Sequence, residues 1–388
     1  MNRHIHFVGS LPAPLMTSHR GAMEWILEHG AGQPLATLPC DLEPDWMVGY
    51  LRGLAARRGA VEFSCGSDDY VDYDHMPAVS VRRGATLRAE DVGMRRVERI
   101  THIVAAYRKL RQERPEIDGV RLQLSQPGPL DMSLLTFGGP ALATGLPLGP
   151  ALRNIGCLGA ALRHTPVFAR AVLEEIAEIT AAHGSIITWQ VESPVSLLSM
   201  IKGAQFRTTA PLAAMMARYL AGFLSQLHGL DAHASLHLCY GDHNHTALLR
   251  PTSLAPAVAL LNRLGRELRR LDVPLPTVHI PCAFGAEPAP LEQSFYTPLR
   301  RLDPAWNLIA GVVSPHSILD SMLALRLFEL AADRPVHAVA TACGLGRCTV
   351  EVAEQAATAT ATTAMLGNQP QAAWQGYALA TTPRQAVR

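Results

Sequence analysis

The chain has 388 residues, 48% of them hydrophobic and 17% charged, so it is long and apolar enough to bury a large globular core. Its 34 basic and 33 acidic residues give a net charge of +1, which is not the electrostatic footprint of a protein that binds nucleic acid or an acidic membrane. No stretch is apolar over the roughly 18 to 20 residues that span a bilayer, and the N-terminal segment lacks a signal peptide's apolar core. The seven cysteines favour reduced thiols over a disulfide framework. We therefore expect a cytoplasmic protein.

In chain order, short apolar runs alternate with longer helical patterns, which is typical of parallel βα units. The predicted strands are residues 4–8, 35–39, 120–124, 186–191, 235–239, 277–281, 308–313 and 337–341. The clearest predicted helices are residues 97–114, 166–183, 211–227 and 254–271. Eight strands alternating with helices predict an α/β protein, a single (β/α)8 TIM barrel over residues 1–388. The largest insertions are residues 61–89 and the Gly- and Pro-rich segment 137–150, which is either a lid over the active site or a surface loop.

The first candidate site lies at the end of the fifth predicted strand, where Cys239 follows His237 after one intervening residue. Residues two apart on a strand point to the same side, so the thiol and the imidazole can converge on one point. Cysteine and neutral histidine are preferred zinc ligands, and a third thiol, Cys343, follows the eighth predicted strand. The alternative is a buried strand that happens to contain both residues, because free cysteine is among the most buried residue types.

Reactive side chains also follow the other predicted strands. In a (β/α)8 barrel the catalytic groups collect at the C-terminal ends of the strands. Two of the acidic candidates, Asp41 and Glu192, are also consistent with helix N-caps, because helix starts favour acidic residues. Cys282 is either a ligand or a buried thiol, and His316 is either a proton donor or a structural residue. These candidates are Ser10, Asp41, Glu43, Glu192, Cys282 and His316.

Six motifs that contain the candidate residues other than Cys282 occur in an order typical of one enzyme family. They are His6-Phe7-Val8-Gly9-Ser10-Leu11-Pro12, Asp41-Leu42-Glu43-Pro44, Gln190-Val191-Glu192-Ser193-Pro194, His237-Leu238-Cys239-Tyr240, Gly311-Val312-Val313-Ser314-Pro315-His316-Ser317 and Cys343-Gly344-Leu345. On these motifs the chain resembles the C-terminal catalytic barrel of cobalamin-independent methionine synthase, and more closely the short single-barrel relatives of that enzyme. The resemblance implies zinc binding and the transfer of a methyl group to the thiol of homocysteine.

The resemblance also implies roles for the residues that would hold and protonate the substrates. It places the backbone near Ser10 against the amino-acid substrate, and Asp41 and Glu192 where two carboxylates bind the substrate's amino group. Glu43 is the alternative to Asp41 in the same acidic segment. His316 occupies the position of a histidine that serves proton transfer.

For the metal, the resemblance implies His237, Cys239 and Cys343 as zinc ligands. The family takes one further ligand, a glutamate, from the end of the sixth strand, where this chain has Cys282. Cys282 either replaces that glutamate or leaves one position of the zinc open to substrate. At the position of the family's folate-stacking tryptophan the chain has Leu135, so the resemblance does not establish a folate as the methyl donor.

These observations predict a zinc-dependent thiol methyltransferase, in which homocysteine or a similar amino thiol is activated as a zinc thiolate. The expected partners are a small-molecule thiol and an alkyl donor. Candidate donors are a corrinoid protein, a methylated small molecule or a folate. The alternative is a lyase or decarboxylase on the same zinc barrel, since related barrels that resemble uroporphyrinogen decarboxylase run different reactions on this architecture. A third class is a barrel that binds a metal or ligand without catalysis. The oligomeric state is open.

Overall fold

A computed structural model describes residues 3–40, 46–57, 59–65, 78–143, 155–243 and 246–367. Within these ranges the strands are β1 (His4–Ile5), β2 (Leu38–Pro39), β3 (Val61–Cys65), β4 (Ala78–Val81), β5 (Leu122–Pro127), β6 (Ile187–Glu192), β7 (His233–His237), β8 (Asp242–His243), β9 (Thr246–Ala247), β10 (Thr277–Pro281), β11 (Leu308–Val313) and β12 (Ala338–Thr341). The helices are α1 (His19–His29), α2 (Trp46–Ala56), α3 (Ala89–Val92), α4 (Val97–Glu113), α5 (Pro129–Ala143), α6 (Ile155–His183), α7 (Pro194–Gln205), α8 (Thr209–Gly229), α9 (Ala255–Arg270), α10 (Gln293–Tyr296), α11 (Ile318–Ala332) and α12 (Val350–Gly367).

The centre of the molecule is an eight-stranded sheet in the order β1-β12-β11-β10-β7-β6-β5-β2, with every neighbouring pair parallel. From β2 to β12, each of these strands pairs with the next sheet strand along the chain, and β12 pairs with β1. A parallel bridge between Ile5 and Leu35 joins β1 to the segment just before β2, so the two ends of the sheet meet. The predicted α/β fold is confirmed as TIM-barrel-like, and each of the eight predicted strands overlaps a strand of this sheet.

The strands and helices follow from how apolar residues are spaced. All six residues of β11 are buried, as expected for a parallel strand that is covered on both faces. In α9 the buried Leu261, Leu264 and Leu268 recur at three- and four-residue spacing, while Arg266 and Arg270 are exposed on the other face. Among the residues that the structure describes, no helix is both long and apolar enough to cross a membrane.

Three segments differ from what the sequence patterns predict. In the predicted insertion at residues 61–89, β3 and β4 pair as an antiparallel hairpin. Of the predicted lid, 137–150, the residues up to Ala143 belong to α5, and residues 144–150 lie outside the described ranges. Helix α6 begins at Ile155, well before the predicted start at 166, and contains Pro166 in its interior.

A buried carboxyl connects α5 to the start of α7. Oδ1 of Asp131 accepts a hydrogen bond of 2.7 Å from the backbone N–H of Val195, one of the donors that a helix start leaves without an intrahelical partner. Burial raises the pKa of Asp131 from 3.8 to about 8, although the bond from Val195 opposes this shift. Among the described residues Oδ2 has no hydrogen-bond partner. Asp131 therefore remains protonated at neutral pH.

This raised pKa predicts a pH-dependent stability. The folded protein binds the Asp131 proton more tightly than the unfolded chain does, so stability is lost as the pH rises from about 4 to about 8. Asp131→Asn keeps an acceptor for Val195 but does not titrate. Between about pH 5 and about pH 8.5, the free energy of unfolding should therefore fall more in the wild type than in Asp131→Asn, measured by urea denaturation.

The matched control is Asp272→Asn, an exposed aspartate in the left-handed backbone region that asparagine also tolerates. It should follow the wild type. Equal pH dependence in wild type and Asp131→Asn would contradict the assignment of the titrating group.

Candidate metal centre

Three potential ligands from two distant parts of the chain meet at one end of the barrel. The ligand atoms of His237, Cys239 and Cys343 all lie within 4.8 Å of one another. His237 ends β7 and Cys239 follows two residues later, so both side chains face the same side of the strand. Cys343 follows two residues after Thr341, the end of β12. His237 and Cys239 are buried, and Cys343 is half-buried.

The spacing of the two thiols matches what a metal requires. Sγ of Cys239 and Sγ of Cys343 are 3.7 Å apart. Two thiolates on a tetrahedral zinc, each at about 2.3 Å, would be separated by about 3.8 Å. A disulfide would bring the sulfurs to about 2.05 Å, so these cysteines are not bonded to each other. The donor set fits zinc, which prefers thiolate and imidazole ligands.

The third potential ligand, His237, is also in the protonation state that metal binding requires. Burial lowers the pKa of His237 well below 6.5, and the neighbouring His279 and His6 lower it further. The imidazole is therefore neutral at pH 7, which is the state that binds a metal. Its Nδ1 is buried and has no hydrogen-bond partner among the described residues. A ring nitrogen without a protein partner is consistent with a ligand role for this histidine.

A second histidine packs against the first. The ring of His279, on β10, stacks on His237 with 4.6 Å between the ring centroids, and the two residues pair in the sheet. Nε2 of His279 donates a hydrogen bond of 2.9 Å to the backbone carbonyl of Thr341. This bond crosses β11 at Gly311, where a Cβ atom would lie only 2.6 Å from Nε2. A glycine is therefore required at this position on β11.

Further polar side chains fill the barrel below these histidines. His6, the residue after β1, makes a 3.2 Å hydrogen bond to the side-chain oxygen of Gln190. Gln123 donates to the carbonyl of Val8 at 2.9 Å and accepts a hydrogen bond from the hydroxyl of Thr37. Burial, with a smaller effect of His279, lowers the pKa of His6 to about 3. The interior therefore holds neutral, hydrogen-bonded groups and does not place a positive charge beneath the candidate metal site.

A cavity of about 120 Å³ opens beside Cys343, one of the three potential ligands. Three of the predicted site residues line it, namely Ser10, Glu192 and Cys343. Glu192 ends β6 and pairs with His237 in the sheet, so the carboxylate and the imidazole stand at the same level of the barrel. Ser10 is brought beside Cys343 because the N–H of Leu345 donates to the carbonyl of Ser10 at 2.9 Å.

The other predicted site residues have different positions. Cys282 is buried, its thiol bonds to the carbonyl of Ile280 at 3.8 Å, and it is not part of the three-residue group. His316 lies exposed in the turn between β11 and α11, and its backbone N–H donates to the hydroxyl of Ser314. Asp41 and Glu43 lie outside the described residues.

Sequence reasoning missed the basic residues of the cavity. Arg96, Arg99 and Arg347 line it together with Glu192. Arg96 has a structural role, because its Nε donates to the buried carboxylate of Glu175 at 2.8 Å and its Nη1 to the carbonyl of Ser125 at 3.0 Å. A helical pattern with exposed positions gives no indication of which arginines turn toward a barrel rim.

Comparison with solved structures finds this architecture in a B12-independent methionine synthase from Shewanella sp. W3-18-1, solved in complex with selenomethionine. The TM-score is 0.54 and the identity 14%, over 98% of this chain and 100% of that chain. The two proteins share a fold. A methyltransferase from Methanosarcina mazei also matches, with a TM-score of 0.49 and 13% identity over 93% of each chain. No model of a known protein family matches the chain, and neither does any curated protein.

The three-residue group predicts that the protein binds one zinc ion per chain. Cys239→Ser and Cys343→Ser should each lose most of this zinc, because a serine hydroxyl is not a preferred zinc ligand. Elemental analysis after dialysis against a weak chelator measures the metal content. Cys157→Ser, at an exposed cysteine, is the control and should keep the metal. Full zinc in both site variants would refute this ligand set.

Proposed function

We propose that the protein transfers a methyl or other alkyl group to the thiol of homocysteine or a similar amino thiol, with zinc held by His237, Cys239 and Cys343. The observation that carries this proposal is a group of two thiols 3.7 Å apart and a neutral imidazole, in which Cys343 also lines a small cavity together with Glu192. Two thiolates balance the charge of a zinc ion, so the centre would be close to neutral before substrate binds.

Such a centre suits the activation of a thiol. A free thiol with a pKa near 8.5 is only a few per cent ionised at neutral pH. Zinc, when bound, would hold the substrate sulfur as a thiolate without redox chemistry of its own. The three protein ligands leave one of the four positions of a tetrahedral site to that sulfur. Because the site depends on reduced thiols, we also propose a reducing compartment, the cytoplasm.

The cavity suits the amino-acid part of the substrate. Glu192 offers a carboxylate for an ammonium group, while Arg99 and Arg347 offer guanidinium groups on the same wall for a carboxylate. A cavity lined by both charges complements a zwitterion. The backbone around Ser10 would contact the same part of the substrate, and Asp41 or Glu43 would supply a second carboxylate. The volume of about 120 Å³ favours a small ligand.

The second substrate would supply the alkyl group. The fold shared with a B12-independent methionine synthase supports methyl transfer as the reaction. We propose that His316, in the exposed turn after β11, delivers the proton that the leaving group needs. A corrinoid protein, a methylated small molecule and a folate are the candidate donors.

Binding of a thiol to the metal tests the proposed function directly. We expect homocysteine to change the visible spectrum of the cobalt-substituted protein, because a sulfur ligand would enter the coordination sphere. Homoserine, which has a hydroxyl in place of the thiol, is the matched control and should leave the spectrum unchanged. If no amino thiol changes the spectrum of a protein that does hold cobalt, the alkyl-transfer proposal fails and a lyase or decarboxylase becomes the better hypothesis.

The role of Glu192 predicts a selective loss of affinity. Glu192→Gln should weaken homocysteine binding roughly 10-fold or more, because a charge-assisted hydrogen bond to the amino group is lost. Binding of 4-mercaptobutyrate, which lacks the amino group, should change little. Both affinities can be read from the same cobalt spectrum. An equal loss for the two ligands would show that Glu192 does not bind the amine.

A further inference from the structure

We propose that His279 and Thr341 are positioning residues that fix the metal ligands His237 and Cys343 relative to each other. The inference rests on the proposed metal site and adds a second set of residues to it. Neither His279 nor Thr341 is a ligand in the three-residue group. Both act through contacts with the ligands, and the contacts form one continuous path.

The path is needed because the ligands come from separate strands. His237 ends β7, whereas Cys343 follows β12, and the sheet order places β10 and β11 between these two strands. No ladder hydrogen bond joins β7 directly to β12. Cys343 also lies beyond the end of β12, so the strand itself does not fix its backbone. A metal site needs its ligand atoms held within a few tenths of an ångström.

His279 spans the first part of this gap. It pairs with His237 in the sheet, and its ring lies against that ligand at 4.6 Å between centroids. From there Nε2 reaches over Gly311 to the carbonyl of Thr341, at 2.9 Å. Since only glycine leaves room on β11 for this ring, the backbone of β11 is shaped to let the bond pass.

Thr341 spans the second part. Its carbonyl accepts the bond from His279, and its hydroxyl donates a hydrogen bond of 2.7 Å to the carbonyl of Cys343. This second bond fixes the turn that carries the thiol. The stack and the two hydrogen bonds therefore connect one ligand to the other, and they set the approach of Cys343 to Cys239. Burying an imidazole costs free energy unless it is hydrogen-bonded. An apolar residue at position 279 would therefore fill the same space at a lower free-energy cost.

The test removes the hydroxyl of Thr341 and measures the affinity for zinc and the spectrum of bound cobalt. Thr341→Val keeps the shape of the side chain and the carbonyl that His279 uses, but it loses the bond to Cys343. We expect zinc affinity, measured by chelator competition, to fall about 10-fold and the visible bands of bound cobalt to shift. Thr341→Ser, which restores the hydroxyl, should recover both. Thr360→Val is the matched control, because it removes a buried hydroxyl that bonds to Ala356 within α12. It should keep the wild-type affinity and spectrum.

A second variant tests the same path independently of Thr341→Val. His279→Phe keeps a ring against His237 but has no donor for Thr341, and it should weaken zinc binding and shift the cobalt bands in the same way. Wild-type affinity and spectrum in both Thr341→Val and His279→Phe, while the wild type binds one ion, would overturn this inference alone. A wild type that binds neither zinc nor cobalt would overturn the metal site and this inference with it.

Discussion

The parallel bridge between Ile5 and Leu35 closes the sheet, and the candidate site depends on that closure. Because every sheet strand runs in the same direction, the C-terminal ends of all eight meet at one rim. The pairing of β1 with β12 brings the carbonyl of Ser10 to the N–H of Leu345, and the closure places both beside the other end of the sheet. Residues that are more than 300 positions apart in the chain then line the same small cavity.

The closed barrel has an unusual interior, in which buried amides and imidazoles accompany a small apolar cluster. Val8, Ile309, Ala338 and Ala340 form that cluster, separate from the main core. Burying polar groups destabilises a protein unless they are hydrogen-bonded, and here the side-chain amides of Gln123 and Gln190 both donate to the carbonyl of Val8. Gln123 and Gln190 thus stabilise the barrel where its two ends meet, and they form a polar layer beneath the C-terminal ends of the strands.

The eight strands and the three-residue group could be predicted from the sequence, because both depend on short-range patterns. A two-residue spacing puts His237 and Cys239 on one side of a strand, and the rule for parallel strand ends brings Cys343 to them. The same reasoning could not fix which side of β10 a residue faces. His279 points into the barrel, and Cys282, three residues later, has the opposite parity along the strand, so it is buried away from the ligands.

Other features depend on packing that no local pattern encodes. Helix α6 continues through Pro166, although proline is usually a sign of a helix start, because the long helix packs on α5 along its length. The carboxyl of Asp131 is neutral only because of the groups that bury it. Arg99 has an ordinary surface-helix sequence around it, and only the tertiary fold places it beside the cavity.

The size of the cavity has a consequence for the order of events in a two-substrate reaction. Pockets that enclose a drug-sized ligand measure roughly 300–1,000 Å³. A space of about 120 Å³ accommodates one small molecule and no second reactant beside it. In the proposed transfer, a partner for that molecule would approach after the inner position is filled. We therefore expect ordered binding, in which the small ligand enters first and leaves last.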